Sequence, residues 1–192
     1  MKTIQFLGVF LLLFLILPTS CVEDNGPENE QELITTVLYK LVPDGGGDEV
    51  VFSFVDMDGD GGIAPVITTT GKLQSNKTYL GTITLSNDAS MPPRDITTEI
   101  KEEADDHQFF FLLTSTISNK IDIMYADIDN NANPVGLLTN VSVGSGSQGM
   151  FGKLKLVLRH LPNKNAEGVK DGLITNAGGE TDIEIEFEVA VQ

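Results

Sequence analysis

Apolar and polar residues alternate strictly along the last stretch of the chain. In Thr181-Asp-Ile-Glu-Ile-Glu-Phe-Glu-Val-Ala-Val191, Ile183, Ile185, Phe187, Val189 and Val191 share one face. Asp182, Glu184, Glu186 and Glu188 take the other. A period of two predicts a strand with one buried and one wet face. Similar stretches, rich in β-branched and aromatic residues, begin just after Leu33. They are Ile34–Val42, Glu49–Asp56, Thr78–Leu85, Lys120–Asp127, Val135–Val143 and Lys153–Arg159. Gln108–Thr116 is apolar on both faces at its start, which predicts a central strand. Ser118-Asn119 predicts a tight turn that folds Lys120–Asp127 back on it as a hairpin. Only Ile96–Asp106 carries a helical period, with Ile96, Ile100 and Ala104 at i, i+4 and i+8 and Asp95 as the cap. One or two helical turns there suit a corner between two sheets. Eight or nine short strands with little helix predict an all-β fold, an antiparallel immunoglobulin-like β-sandwich, with a small closed β-barrel as the alternative.

The first 20 residues follow a different pattern. Lys2 is their only charge, Ile4 to Leu17 is almost wholly apolar, and Pro18-Thr19-Ser20 leads into Cys21. A basic start, a short apolar run and a small-residue exit predict a signal peptide, 1–20, too short to span a membrane. The exit resembles a bacterial lipobox, with Pro18 in place of the usual leucine, and the resemblance implies lipidation of Cys21. Val22 to Glu32 has five acids and too little apolar surface to fold, so 21–32 reads as a lipidated cysteine and a disordered tether. Residues 33–192 remain as a single β-sandwich domain. Glu23 and Asp24 look like the surface-export signal of Bacteroidota lipoproteins, which implies outer-membrane anchoring with display on the cell surface. Cys21 is the one cysteine, so disulfides, redox chemistry and thiolate metal sites are excluded from the domain.

Charge narrows the partners. The chain holds 12 Lys+Arg against 28 Asp+Glu, net −16; without the leader's Lys2 it is 11 against 28, net −17. Such a field repels nucleic acid and anionic lipid and draws cations.

Two regions offer cation chemistry. Asp56-Met-Asp-Gly-Asp-Gly61 has the spacing of the first half of a calcium loop, in which alternate carboxylates of Asp56, Asp58 and Asp60 wrap a hard cation. Position twelve is Ile67 rather than glutamate, so half of the signature is present. Asp127-Ile-Asp-Asn-Asn131-Ala-Asn133 has similar spacing without the glycine. The chain has two histidines, His107 at the start of one strand and His160 at the end of another. With the hairpin turn at Ser118-Asn119, His107 falls opposite about Asn130, close to Asp127 and Asp129. If the His160 strand runs antiparallel to that of His107, both imidazoles stand at one end of the sandwich. Two imidazoles with carboxylates suit Zn, Cu, Ni or a haem iron. The plainer reading is that each histidine tips a core strand and hydrogen-bonds to a loop. No catalytic motif is present: no metalloprotease helix, no nucleophile elbow, no phosphate loop.

Three passages together resemble a family of small all-β lipoproteins of Flavobacteria and relatives. They are Asp58-Gly-Asp-Gly-Gly62, Glu102-Glu-Ala-Asp-Asp-His-Gln-Phe-Phe-Phe111, and Arg159-His-Leu-Pro-Asn-Lys164 with Asp171 to Asp182. Members are sometimes labelled as a type 1 periplasmic-binding fold, a doubly wound α/β design that the strand-rich pattern contradicts. The resemblance implies localisation and a single domain, and no specific activity. The expectation is therefore a non-enzymatic surface lipoprotein that binds a ligand, a metal ion or metal complex, for an outer-membrane transporter. The alternative is a structural or adhesive envelope module that contacts protein or glycan.

Overall fold

Where the chain alternates, it buries every second side chain. The computed structural model describes residues 33–59 and 62–192; the leader, Cys21, the tether, Asp60 and Gly61 lie outside them. Nine strands follow in order: β1 Thr36–Pro43, β2 Val50–Val55, β3 Val66–Thr70, β4 Lys77–Ser86, β5 His107–Leu113, β6 Ile121–Tyr125, β7 Leu138–Val143, β8 Phe151–His160 and β9 Glu180–Ala190. One α-helix, α1 Ile96–Glu102, stands between β4 and β5. On β1, Val37, Tyr39 and Leu41 are buried; on β9, Ile185, Phe187 and Val189 are.

The strands form two antiparallel sheets, a six-stranded one ordered β3-β2-β1-β4-β7-β6 and a three-stranded one ordered β5-β8-β9. The architecture is all-β and sandwich-like, with the core between the inner faces. Phe52 of the large sheet meets Phe187 of the small one at 5.4 Å between ring centroids, and Tyr39 meets Phe111 at 5.6 Å. Each such side chain contributes about 1.5–3 kcal/mol by leaving water.

Helix α1 makes the corner between the sheets. Asp95 caps it by accepting from the Thr98 N–H and hydroxyl. Ile96 and Ile100, one turn apart, are both fully buried, so the helix is held by packing rather than by its own length.

The expected hairpin does not form. β5 pairs with β8 and β6 with β7, in different sheets. Between them the chain makes two successive tight turns, Ser118 N–H to Thr114 O and Ile121 N–H to Ile117 O, with Ile117 fully buried. A two-residue hairpin turn needs positive φ at its centre, and neither Ser118 nor Asn119 has it. Ile117 instead plugs the core, and the link becomes a crossover from one sheet to the other.

Nor is β5 central. It is the edge of the three-stranded sheet, yet His107, Gln108, Phe109 and Phe110 are all buried. Its outer face is covered by residues 161–179, whose Val169 and Ala177 pack with Phe110 and Val157. An apolar run reports burial on two faces, and a loop can supply the second face as well as a layer can. The third strand, β3, has no buried residue, so alternation could not mark it.

Candidate metal centre

Strand register builds the site. β5 and β8 run antiparallel with His107 directly opposite His160. The imidazoles stack, centroids 4.6 Å apart and planes 16° from parallel. β9 completes the group through an irregularity. Leu158 faces Ile183 but Arg159 faces Thr181, which leaves Asp182 as one residue too many on its strand. A bulge of this kind re-aims a side chain. Alternation placed Asp182 on the wet face with Glu184; the bulge buries it, its side chain 5 % exposed, against the histidines. The His107 Nε2 lies 3.8 Å from Asp182 Oδ2, and the His160 Nδ1 lies 3.9 Å from Asp182 Oδ1. All three donor atoms fall within 4.8 Å of one another, and this group alone converges so among the described residues.

The backbone around the site is shaped to allow this. Gly179, at φ +69°, starts the approach into β9; a Cβ there would sit 2.3 Å from the His160 carbonyl. Leu161, immediately after His160, takes a left-handed φ of 50°, a strained setting for a branched side chain. Its N–H is tied to Asp106 O.

Electrostatics leave the group unfinished. The His107 Nδ1 contacts Glu103 O at 3.1 Å, and a carbonyl only accepts, so Nδ1 carries the proton. The neutral ring then leaves Nε2, 3.8 Å from Asp182 Oδ2, with a free lone pair. Burial, helped by neighbouring Glu180 and opposed by His160, pushes the Asp182 carboxyl up to about 6. Burial holds His107 below its ordinary value despite the Glu103 carbonyl. Asp182 Oδ2 is buried with no hydrogen-bond partner. A lone pair facing a carboxylate oxygen across 3.8 Å attracts only if a proton or a cation lies between them. The group of His107, His160 and Asp182 can hold a metal.

Asp127 and Asp129 do not join it, because the hairpin that would have carried them there does not exist. Asp127 accepts from the N–H groups of Gly136, Leu137 and Leu138 at 2.8–3.1 Å. Asp129 is buried in an ion pair with Lys164 at 3.0 Å. Its other bonds come from the backbone N–H groups of Asn131 and Asn133 and from the Asn133 side-chain amide. Lys164 also donates to Ala104 O and Pro134 O. Burial works against the Asp129 carboxylate, but these donors and the ammonium hold it below its usual range.

In the acidic loop after β2, Asp56 accepts from the Gly59 N–H and Asp58 from the Ile63 N–H. These carboxylates close turns on their own backbone, and Asp60 lies outside the described residues. The loop does border the centre: Asp56, Gly59, Gly62 and Ile63 line an open groove together with residues 181–184.

Sequence reasoning found both histidines and missed Asp182. The available signal was slight, a single aspartate at the head of a row of glutamates, just after Gly178-Gly179. Comparison with protein-family models, curated proteins and solved structures finds no match to this chain.

Proposed function

We propose that the chain is a non-enzymatic, lipid-anchored binding module of the outer membrane that holds a divalent transition-metal ion at His107, His160 and Asp182. The observation that carries this reading is the buried Asp182 Oδ2, without a hydrogen-bond partner and 3.8 Å from His107 Nε2. Two imidazoles and one carboxylate are a borderline donor set, suited to Zn²⁺, Ni²⁺ or Cu²⁺ and poor for Ca²⁺. Metal–ligand bonds near 2.0–2.1 Å put tetrahedral donors roughly 3.4 Å apart. The donors here need a contraction of about 0.5–1.5 Å to reach that spacing. The proton held by His107 Nδ1 on Glu103 O is the outer contact that metal-bound histidines usually make. Three protein ligands leave a position open, as a carrier needs when it hands an ion or a metal complex to a transporter. The leader and Cys21 support the anchor and the outer-membrane location. An acidic surface would gather cations toward the site.

The test is thermal unfolding of the full chain in detergent with EDTA, Zn²⁺, Ni²⁺, Cu²⁺ and Ca²⁺. A bound ion at about 100 times its dissociation constant adds roughly 2.7 kcal/mol. The expected result is stabilisation by Zn²⁺, Ni²⁺ or Cu²⁺ that His107→Ala and Asp182→Asn each abolish. No shift with any of these ions, or a shift that both variants retain, overturns the reading.

A further inference from the structure

The two sheets turn very different faces to solvent. On the three-stranded sheet, Lys153 and Lys155 cross to Glu186 and Glu184 in ion pairs. On the six-stranded sheet, register aligns twenty outward strand positions on β1, β2, β3, β4, β7 and β6, none of them buried. Two of the twenty are charged, Lys40 and Asp122, one of each sign. The rest are Thr, Ser, Asn and apolar residues, among them Leu38, Val42, Leu80, Met124 and Leu138, each at least 38 % exposed. A chain of net −16 has thus kept all but one acid off the strands of its broadest face; Glu49 and Asp88 reach it from the rim, bonded to Lys40 and Thr36. Solubility gives no reason to do so, since acidic residues are what it favours.

We infer that this face is a homodimer interface, covered in solution by the same face of a second copy in a two-fold arrangement. Two copies of so acidic a chain repel through most of their surface. They can meet with less of that repulsion where charge is sparse, as it is across the strands of this face. Its size is sufficient. At about 4.8 Å between strands and about 6.8 Å between successive outward residues, twenty positions cover roughly 650 Å² of sheet plane, near the ~800 Å² per partner of a standard interface. Its relief is uneven. One depression lies beside Val42 and Leu80, and another lies between α1 and Leu138. An aromatic platform for sugar rings is missing from the twenty positions, which sets glycan aside as the occupant. The inference does not depend on metal binding and stands or falls separately.

Sedimentation equilibrium of the full chain in density-matched detergent, up to about 100 μM, reaches above the micromolar end of specific interfaces of this size. The expected protein mass is that of two chains. Raising salt should tighten the dimer, because it screens repulsion between like-charged copies. Leu80→Glu with Leu138→Glu should halve the mass, while thermal unfolding at high dilution, where both proteins are monomers, stays unchanged, since both side chains are exposed in the single chain. Lys155→Glu, on the other sheet, should leave the dimer intact. A monomer at the highest concentration overturns the inference and leaves the face to a different partner. A dimer that survives the double variant, or one that salt dissociates, overturns it as well.

Discussion

Asp129 and Asp182 are both carboxylates buried at one end of the same sandwich, and they are solved in opposite ways. Asp129 is closed on every side. Two backbone N–H groups, the Asn133 amide and the Lys164 ammonium fill its lone pairs, and Lys164 in turn spends its other protons on two carbonyls. Asp182 has two imidazoles nearby but no bond to Oδ2. Burial pushes the Asp182 carboxyl up, whereas its donors hold Asp129 down. A buried charge with a full set of partners is a staple; one with a missing partner is a place for something to arrive. The staple joins residues 161–179 to the end of α1 and to the loop after β6. It thereby fixes the lid over β5, the strand that carries His107.

The largest expected effect breaks the closed member of this pair. Lys164→Met leaves Asp129 buried without its cation, which costs about 3–5 kcal/mol. Urea unfolding should show that loss, and Lys164→Met with Asp129→Leu should recover most of it, because a pair removed whole leaves no stranded charge. If the single variant loses less than about 1 kcal/mol, Asp129 is no better satisfied than Asp182 and the contrast fails.

The open member predicts an effect of opposite sign. A carboxyl raised from 3.8 to about 6 in the folded chain favours folding only when protonated. Its contribution is fully present below the unfolded value and is lost as pH rises from about 4 to about 6. Asp182→Asn keeps the shape without the charge, so without metal it should be the more stable protein at pH 7, by up to roughly 3 kcal/mol, with the gap closing toward pH 4. His107, held below its ordinary value, has the reverse slope: its share is present above the unfolded value and is lost as pH falls. The variant should therefore show a rising limb, to which His107 and lowered carboxyls such as Asp129 contribute. Urea midpoints of both proteins from pH 4 to 7 decide this, and a gap that does not change with pH refutes it. Zn²⁺ at pH 7 should reverse the ranking, since a cation needs Asp182 ionised.

The contrast between the two carboxylates was hardly visible in the sequence, although most of the fold was. Alternation in β9 and β1 states which side chains are buried, and the spacing of Asp95, Ile96 and Ile100 gives α1 and its cap. Those are local facts, fixed by backbone period and by the one polar atom a helix start requires. Partner choice is not local. Ser118-Asn119 looks like a hairpin turn until Ile117 is seen to be anchored in the core, and nothing nearby in the chain says that it is. A period of two sends Asp182 to solvent because it assumes unbroken pairing. A single bulge between Leu158 and Arg159 reverses the side on which its carboxylate lies. Lys164, in a polar loop, gave no hint that it would be buried against Asp129 35 residues away. His107 and His160 could be read because a rare residue type at the tip of a strand stands out whatever the register.

A third carboxylate sets the scale at the other extreme. Asp56 lies in the loop that resembles half a calcium site, but Oδ1 already accepts from the Gly59 N–H at 3.0 Å, and the side chain borders an open groove. Water replaces whatever partner it loses, so Asp56 is neither a buried staple nor a buried carboxylate short of a bond. Asp56→Asn keeps the acceptor and removes the charge. It should change stability by less than about 0.5 kcal/mol, as for most substitutions outside the buried features of a fold. A calcium loop predicts otherwise: Ca²⁺ would stabilise the parent chain and not the variant. Thermal unfolding of the two proteins with and without Ca²⁺ should give four curves that differ little. A calcium shift confined to the parent would move the loop from turn-forming scaffold to cation site. It would also mean that carboxylates need not be buried to be functional here, and so would dissolve the distinction drawn between Asp129 and Asp182.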